Sequence, residues 1–423
     1  MAQKVVTVHR GARDGYHVAL ALQEAGLLDT LVTDLYWPSG GVASTVENFA
    51  PRGVTTQLKA RSRAGLPWSS VKCCWFSGLA SLALERMRSA PFALRRDATR
   101  WCDATLGATA GRLANRNSAA LLSYSYYGFD AFSHLGDIPV PRILFQLHPH
   151  PVTVRRILSE ELRLHPECSS SLAKEWELSL PQADLQRLIE EPLMAGDWIA
   201  ASSFTRATLI ENGIPAGRIH VVPYGTDLDR FRPAAVRRGS NGPVQLLFVG
   251  SICQRKGISY LLDAFSQLPE GSAQLTICGR VVDDLALFQH NGPAIQVRPN
   301  VSDAELLAAY QAADLFVFPS LAEGFGHVLL EAMACGLPVL STTRTAAPDI
   351  VDEQCDGFVV EPGDTGALYQ RLQWCVDNRD ALREMRDAAR QKAEQFSWHR
   401  FRDRLQSTVQ GMLSARCLEA EPC

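Results

Sequence analysis

Two glutamates eight residues apart, Glu323 and Glu331, flank a glycine turn in the stretch Pro319 to Leu340, P-S-L-A-E-G-F-G-H-V-L-L-E-A-M-A-C-G-L-P-V-L. Glu323 falls in the turn Glu323-Gly324-Phe325-Gly326, and Glu331 falls among Leu329, Leu330 and Met333. A carboxylate in apolar company needs a partner, because a charge removed from water is costly. The N–H groups of Phe325 and Gly326 stand where a helix begins, and unsatisfied donors at that end attract an anion. Two carboxylates with N–H donors between them suit a ligand that has hydroxyls at both ends and phosphate in the middle. A nucleotide sugar is such a ligand. Taken alone, the pattern fits equally well a glycine-turned unit with a solvated Glu323 and a salt-bridged Glu331. A cationic counterpart lies upstream in Gly250-Ser251-Ile252-Cys253-Gln254-Arg255-Lys256-Gly257. Adjacent Arg255 and Lys256 beside a helix start can clamp a diphosphate and stabilise charge on a leaving group.

Such groups need a scaffold, and the flanking residues supply one. Asp314-Leu315-Phe316-Val317-Phe318 is a short apolar run without helical period and reads as a buried parallel strand. Val328 to Ala334 reads as a helix, Gly336-Leu337-Pro338 stops it, and Val339-Leu340 opens the next strand. In such a unit the ligand sits at the carboxyl end of the strand, against the helix N-terminus. The same grammar recurs in strand Val244 to Val249 with helix Ile258 to Leu268, and in strand Ala273 to Cys278 with the turn Gly279-Arg280. Asn300-Val301-Ser302 leads into a helix from Asp303 to Ala312, with Glu305 placed for a capping box.

The amino-terminal half repeats the pattern. Lys4 to His9 reads as a strand, Arg10-Gly11-Ala12-Arg13-Asp14-Gly15 as a glycine turn, Tyr16 to Ala25 as a helix and Leu31 to Thr33 as a second strand. This is a Rossmann-like opening, but G-x-x-x-G with no acidic residue assigned to the close of the next strand is a weak dinucleotide signal. Ala119 to Tyr124 and Arg142 to Leu147 read as further strands. The second runs into Leu147-His148-Pro149-His150-Pro151, and a polar residue at the carboxyl end of a parallel strand faces the cleft. His148 is the candidate by spacing and His150 its competitor. Gly196 to Ala201 reads as a strand leading through Ser202-Ser203 to an N-capped helix. Asp227-Leu228-Asp229 imitates a metal motif, but two carboxylates in a connecting segment make a poor cage for a divalent cation.

The frame P-S-x-x-E-G-F-G-x-x-x-x-E-A-M-A-C-G-x-P-V resembles the donor-site signature of the retaining glycosyltransferases of family 4, which have the GT-B fold. The likeness is strong from about Ala195 to Gly363 and weaker before that; Ser202-Ser203-Phe204-Thr205 and Ile219 to Phe231 also resemble family segments. It implies an α/β protein of two Rossmann-like domains facing a cleft. It also implies sugar transfer from a nucleoside diphosphate sugar, most simply a UDP- or GDP-sugar, with retained configuration and no metal or other cofactor. Glu331 would hold ribose hydroxyls; Arg255 and Lys256 the diphosphate; Glu323 with the Phe325 and Gly326 amides the sugar. His148 would line the reacting centre. Gly250, Ser251, Gly324 and Val328 would border the donor, Gly279, Arg280, Asn300 and Val301 would lie toward its base, and Gly11 and Gly15 would face the cleft. One departure stands out. The family often has Arg directly after the first glycine of the clamp loop, where this chain has Ser251.

At 423 residues the chain is too long for one ordinary core. The division expected is an acceptor domain over 1–231, a linker over 232–243, a donor domain over 244–395 and a terminal helix over 396–415 that crosses back. Residues 417–423 are expected to be disordered. The eleven cysteines lack zinc-ligand spacing and read as reduced thiols. The start runs straight into a strand, so a cytoplasmic protein is expected. Nothing in a net charge of -3 draws it to nucleic acid, and no apolar run is long enough to span a membrane. Residues 51–116 differ. Twelve Lys and Arg there face only Glu85, Asp97 and Asp103, with Trp68, Trp75, Phe76, Leu79 and Leu82 interleaved. That composition suits the inner face of an anionic membrane or an acidic acceptor, while a solvated helix with its aromatics in the core is slightly favoured. The rival readings are an epimerase or phosphorylase of the same fold and a non-catalytic scaffold using this basic surface.

Overall fold

The computed structural model describes residues 3–37, 59–86, 92–136, 138–235, 242–282 and 294–420. Arg52 and Arg88 of the basic segment, linker residues 236–241 and residues 421–423 lie outside the described residues.

Thirteen strands form two sheets. The first holds β1 (Val5–Val8), β2 (Leu28–Thr33), β3 (Val71–Cys73), β4 (Ala120–Tyr124), β5 (Arg142–Gln146), β6 (Asp197–Ala200) and β7 (Ile219–Val221), in the order β3-β2-β1-β4-β5-β6-β7. The second holds β8 (Val244–Val249), β9 (Ala273–Cys278), β10 (Ile295–Arg298), β11 (Leu315–Phe318), β12 (Val339–Thr342) and β13 (Gly357–Val360), in the order β10-β9-β8-β11-β12-β13. Every pairing is parallel. Strands buried on both faces by crossover helices read as continuous apolar runs. Accordingly β1, β4, β6, β11 and β12 are buried along their whole length.

Register sets the site. Val8 pairs with Val32 and Ser123, Tyr124 with Phe145, and Gln146 with Ala200. The loops after β1, β4, β5 and β6 therefore leave one edge of the first sheet together. In the second sheet Val249 pairs with Cys278 and Phe318 with Ser341, which aligns the loops after β8, β9 and β11. These are the edges where open parallel sheets place ligands, and each strand order reverses beside its first strand.

Local chemistry explains most boundaries. The Asp303–Ala312 helix opens with a full capping box between Ser302 and Glu305. The Ser203–Glu211 helix is capped by Ser202 Oγ, which accepts from the Thr205 N–H. The His327–Ala334 helix ends before Gly336, whose φ of 70° suits glycine. Three expectations need correction. The terminal helix runs Trp398–Ala420 rather than stopping at 415, so disorder does not begin at 417. Asp34 follows β2 directly, so an acidic residue does close that strand; its carboxylate accepts from the Gly11 N–H at 2.8 Å and pairs with Arg61 at 2.9 Å. The side chains of Trp68, Trp75, Phe76 and Leu79 lie on the surface rather than in the core. Asp227 makes a local turn instead of a metal site, accepting from the N–H groups of Asp229 and Arg230.

The terminal helix ties the halves together. Arg402 bonds Glu24 at 2.8 Å, Arg416 pairs with Asp197 at 3.0 Å, and Trp398 stacks on His17 at 4.2 Å. Among the described residues no helix is long and apolar enough to cross a membrane, and the described cysteines are all free thiols.

One buried carboxylate shapes the turn after β4. Glu191 accepts from the N–H groups of Tyr126, Gly128 and Phe129 at 3.0, 2.7 and 3.2 Å. Burial raises its carboxyl to about 7, against the lowering pull of those three donors. Because the folded value lies above the unfolded one, its contribution to stability is complete below about 4.3 and is lost as pH rises through about 7. Glu191→Gln sets an NH2 group against the Tyr126 N–H. The expected cost in denaturant unfolding is about 1–3 kcal/mol, together with a flatter stability curve between those pH values.

Candidate functional site

The two loop edges face each other across a cavity of about 380 Å³ lined from both domains. From the second domain come Gly250, Ser251, Arg255, Lys256, Glu323, Phe325, Gly326 and Val328. From the first come Arg13, Asp14, Leu147, His148 and Tyr224, and His327 completes the wall. The carboxylate, the clamp cations and the histidine expected from sequence thus meet at one place.

Glu323 is the electrostatic centre. Its carboxylate pairs with Lys256 and lies 3.4 Å from Arg255 Nη1. Arg255 also bonds Glu175 of the first domain at 2.8 Å and the Ala322 carbonyl at 3.1 Å. Burial and neighbouring Arg255 push the Lys256 ammonium well below its ordinary range. The Glu323 carboxylate against it works the other way, as would an incoming phosphate. Arg255 stays charged: burial disfavours its charge, but Glu175, Cys253 and Glu177 together more than compensate. With Ser251 at the family's arginine position, the positive wall of the cavity comes from Lys256, Arg255 and Arg13.

His148, not His150, faces the cavity. Its ring is open to the cleft and meets Tyr126 edge-on at 5.4 Å. Its depth in the protein, then Arg13, Arg255 and Lys256, lower its pKa to about 3. The imidazole is therefore neutral near pH 7. His150 is buried behind it, and its N–H bonds Thr208 Oγ1.

The glycine turn is fixed by contact between the domains. Ser202 Oγ and Thr205 Oγ1 both donate to the Gly324 carbonyl, at 2.6 and 3.1 Å. A Cβ at Gly324 would stand 1.9 Å from the Leu147 carbonyl oxygen. Gly324 is therefore the point where the second domain rests on the end of β5, next to both Glu323 and His148.

Other sequence candidates fall elsewhere. Glu331 sits on the His327–Ala334 helix beyond the cavity wall, half-buried, and accepts from Tyr310 Oη at 3.0 Å. Burial raises its pKa and the tyrosine bond opposes this. Arg280 lines a neighbouring cleft with Ser251, Arg255 and Trp176, while Gly279 allows the chain to pass against the Gly250 carbonyl. Asn300 and Val301 lie at the entry to the Asp303–Ala312 helix and line none of these cavities. Gly11 and Gly15 shape their loop, both at positive φ, but do not line the cavity; Arg13 and Asp14 between them do. Sequence reading passed over both, together with Tyr224 and His327. A signal existed for the first two. Asp14, Gly15 and Tyr16 all have φ between 50° and 63°, and a turn this crowded with left-handed residues is a strained one that re-aims its neighbours.

Residues 235–394 match the family described as glycosyl transferases group 1. The chain is similar to the sulfoquinovosyl transferase SQD2 of Arabidopsis thaliana, 33% identical over 176 residues, which cover 40% of this chain and 34% of that protein. It is also similar to D-inositol 3-phosphate glycosyltransferase 1 of Catenulispora acidiphila, 32% identical over 217 residues, which cover 46% and 51%. The matches thus span about a third to a half of the length of these relatives. Over nearly the whole chain, the architecture is similar to a sucrose-phosphate synthase from Thermosynechococcus elongatus, with a TM-score of 0.66 at 18% identity, covering 98% of this chain and 100% of that one. It is likewise similar to Anabaena Alr3699/HepE in complex with UDP-glucose, with a TM-score of 0.59 at 18% identity, covering 97% and 100%. The chain thus has the GT-B fold, as expected.

A neutral His148 gives a pH test. The rate of the sugar transfer proposed below should show no inflection assignable to this residue between pH 5 and 8, because a pKa of about 3 keeps it neutral throughout. His148→Ala should lower the rate about 100-fold or more with donor affinity kept, and His150→Ala should change the rate far less. A His148-dependent step near pH 6.5 in the rate profile would contradict the assignment.

Proposed function

We propose that this chain transfers a sugar from a nucleoside diphosphate donor to a hydroxyl acceptor, with retained anomeric configuration and without a metal. The carrying observation is that Glu323, Lys256, Arg255 and His148 converge on one interdomain cavity. Glu323 pairs with both cations, and Glu175 is the second carboxylate on Arg255. A diphosphate would take over the role of Glu323 with charge-assisted bonds from Lys256 and Arg255, leaving the carboxylate and the Phe325 and Gly326 amides for the sugar. The cations then stabilise charge developing on the leaving phosphate, which is the task a metal performs elsewhere. A neutral imidazole at His148 adds no positive charge beside an oxocarbenium-like centre and can hydrogen-bond to the reacting sugar. Glu331, beyond the cavity wall and bonded to Tyr310, is the group proposed to hold the ribose hydroxyls of a nucleotide that extends past the cavity.

The sulfoquinovosyl transferase and the D-inositol 3-phosphate glycosyltransferase are both sugar transferases, and retention rests on the family resemblance. A UDP- or GDP-sugar is the donor proposed. The UDP-glucose complex of Anabaena Alr3699/HepE, which has the same fold, supports the first.

We also place the protein against the inner face of an anionic membrane. Phe76 is 81% exposed, Leu79 56% and Trp68 44%, and Trp75 and Trp101 are exposed beside them. Lys72 and Arg112 stand exposed on the same segment. Exposed aromatics with basic neighbours suit a bilayer interface. Phe76→Ser should reduce co-sedimentation with anionic vesicles several-fold and leave donor binding unchanged.

The decisive experiment is calorimetric binding of UDP-, GDP-, ADP- and dTDP-sugars in chelator. One donor should bind, and Lys256→Ala and Glu331→Ala should each weaken it by about 10- to 100-fold, the loss typical of a charged hydrogen bond. Equal affinity in both variants would remove these residues from the donor site. Binding only after a divalent ion is restored would refute metal independence.

A further inference from the structure

Arg255 and Lys256 stand on one tight helical turn, Gln254–Lys256. Three residues make too few hydrogen bonds to be stiff by themselves. Two like charges side by side also repel, so the turn needs support to aim both at one point. Part of that support comes from its own domain. The Arg255 carbonyl accepts from the Leu321 N–H at 2.9 Å and from Ser320 Oγ at 3.2 Å. Gly257, at a φ of 71°, closes the turn where a Cβ would collide with the Pro319 carbonyl.

The remaining support comes from the first domain. Gln254 has no exposed surface, although glutamine is normally a surface residue, and it lines no part of the donor cavity. Burial obliges its polar atoms to find partners. Its Nε2 donates to Glu161 Oε1 and to Ser259 Oγ, both at 2.6 Å, and its backbone N–H donates to Ser171 Oγ at 3.3 Å. Glu161 lies on the Pro151–Leu164 helix and is 6% exposed. Its two oxygens also accept from Tyr260 Oη, at 3.0 and 2.9 Å, on the Ile258–Ser266 helix. His165 closes the group, 3.9 Å from Glu161 and edge-on to the Tyr260 ring at 5.2 Å. One first-domain carboxylate thus holds the second domain at residue 254 and again at residue 260, on either side of the clamp. Glu161, Gln254 and Tyr260 line neither the donor cavity nor the clefts beside it.

We infer that Glu161 and Gln254 are positioning residues of the phosphate clamp. They touch no ligand. They fix, from across the domain boundary, the turn that carries Arg255 and Lys256, and so set how tightly a diphosphate is held. Apolar side chains of the same volume would pack this boundary as well. What a carboxylate, an amide and a phenol add is direction, because each hydrogen bond weakens steeply away from its own angle. Glu175 restrains the head group of Arg255, whereas Glu161 restrains the turn that bears both cations. The inference rests on the proposed donor reading, since it names what sets the strength of that same site.

The test uses the full chain and calorimetry in chelator, with UDP and GDP as probes and uridine and guanosine as their phosphate-free counterparts. Wild-type protein should prefer one diphosphate over its nucleoside. Glu161→Gln keeps the volume but sets an NH2 group against Gln254 Nε2 or Tyr260 Oη. It should lower affinity for that diphosphate about 10-fold, the scale of one charged hydrogen bond, and leave the nucleoside unchanged. A general loosening of the fold would weaken both ligands alike, so the split between them marks positioning. Combining Glu161→Gln with Gln254→Glu returns one carboxylate and one amide to the pair and should recover most of the lost preference. If circular dichroism shows Glu161→Gln unfolded, Tyr260→Phe removes one bond to the same carboxylate and should show the same split at about 3-fold. Unchanged diphosphate affinity in the folded variant, an equal loss for diphosphate and nucleoside, or no recovery in the exchanged pair overturns the inference while the donor reading stands. Wild-type protein that binds no nucleoside diphosphate overturns the donor reading, and the inference with it.

Discussion

The contact at Gly324 is the constraint on which the site depends. Two hydroxyls of the first domain hold the Gly324 carbonyl, and the Leu147 carbonyl occupies the space a side chain would need. Only glycine permits two backbones to approach this closely. The residue before it is Glu323 and the residue after Leu147 is His148, so one backbone contact brings a carboxylate of one domain beside an imidazole of the other. Neither sheet could place them alone, since each ends its strands at its own edge. Binding constellations need positions held to a fraction of an ångström, and contact between rigid strand ends supplies that better than free loops would.

The electrostatics follow from the same junction. Arg255 is shared between Glu323 of its own domain and Glu175 of the other, so the clamp loop is composite. The neighbouring residue adds to this. Gln254 donates to Glu161 at 2.6 Å, and Tyr260 bonds the same carboxylate at 3.0 and 2.9 Å. Glu161 belongs to the Pro151–Leu164 helix, which begins just past His148. A chain with Ser251 in place of arginine has lost one fixed charge from the loop, and the cations it retains are oriented by carboxylates from across the cleft. The charge of the cleft is therefore a property of the domain boundary and belongs to neither half alone.

Much of this was legible in the sequence, for physical reasons. Buried parallel strands announce themselves as short apolar runs, and capped helices as Ser-x-x-Glu or Ser-Ser-x-Thr, so β8, β11 and the Asp303–Ala312 helix fall where pattern placed them. Glu323 and Lys256 were legible because a glycine turn at a strand end has one destination. What failed to show was anything decided by tertiary approach. Asp34 looks like one more loop acid, and only the fold reveals that it satisfies the Gly11 amide. Arg13 and Asp14 were hidden by attention to the glycines around them, although the strain sits on Asp14 and Tyr16 as much as on Gly15. The aromatics near Trp75 were expected inside on the general rule for large apolar residues, and that rule says nothing about which side of a helix has a partner.

An aromatic chain fixes how the halves can move. Phe325 meets His327 at 5.4 Å and Tyr224 at 5.4 Å, Tyr224 meets Trp398 at 6.2 Å, and Trp398 stacks on His17 with planes 7° apart. The series runs from the donor turn, through the connection between domains, to the helix that follows the first glycine loop. His17 is neutral, lowered to about 3 by burial and the cations Arg63 and Arg402, and its Nδ1 accepts from Arg402 at 3.2 Å. Stacked and edge-on rings hold their mutual angle, so the terminal helix moves with the first domain, where His17, Glu24 and Asp197 anchor it. These rings therefore join both domains, and the polar contacts across the same boundary, Ser202 and Thr205 on the Gly324 carbonyl and Gln254 and Tyr260 on Glu161, are buried beside them, so Glu323 and His148 are held in place by packed rings and satisfied hydrogen bonds together.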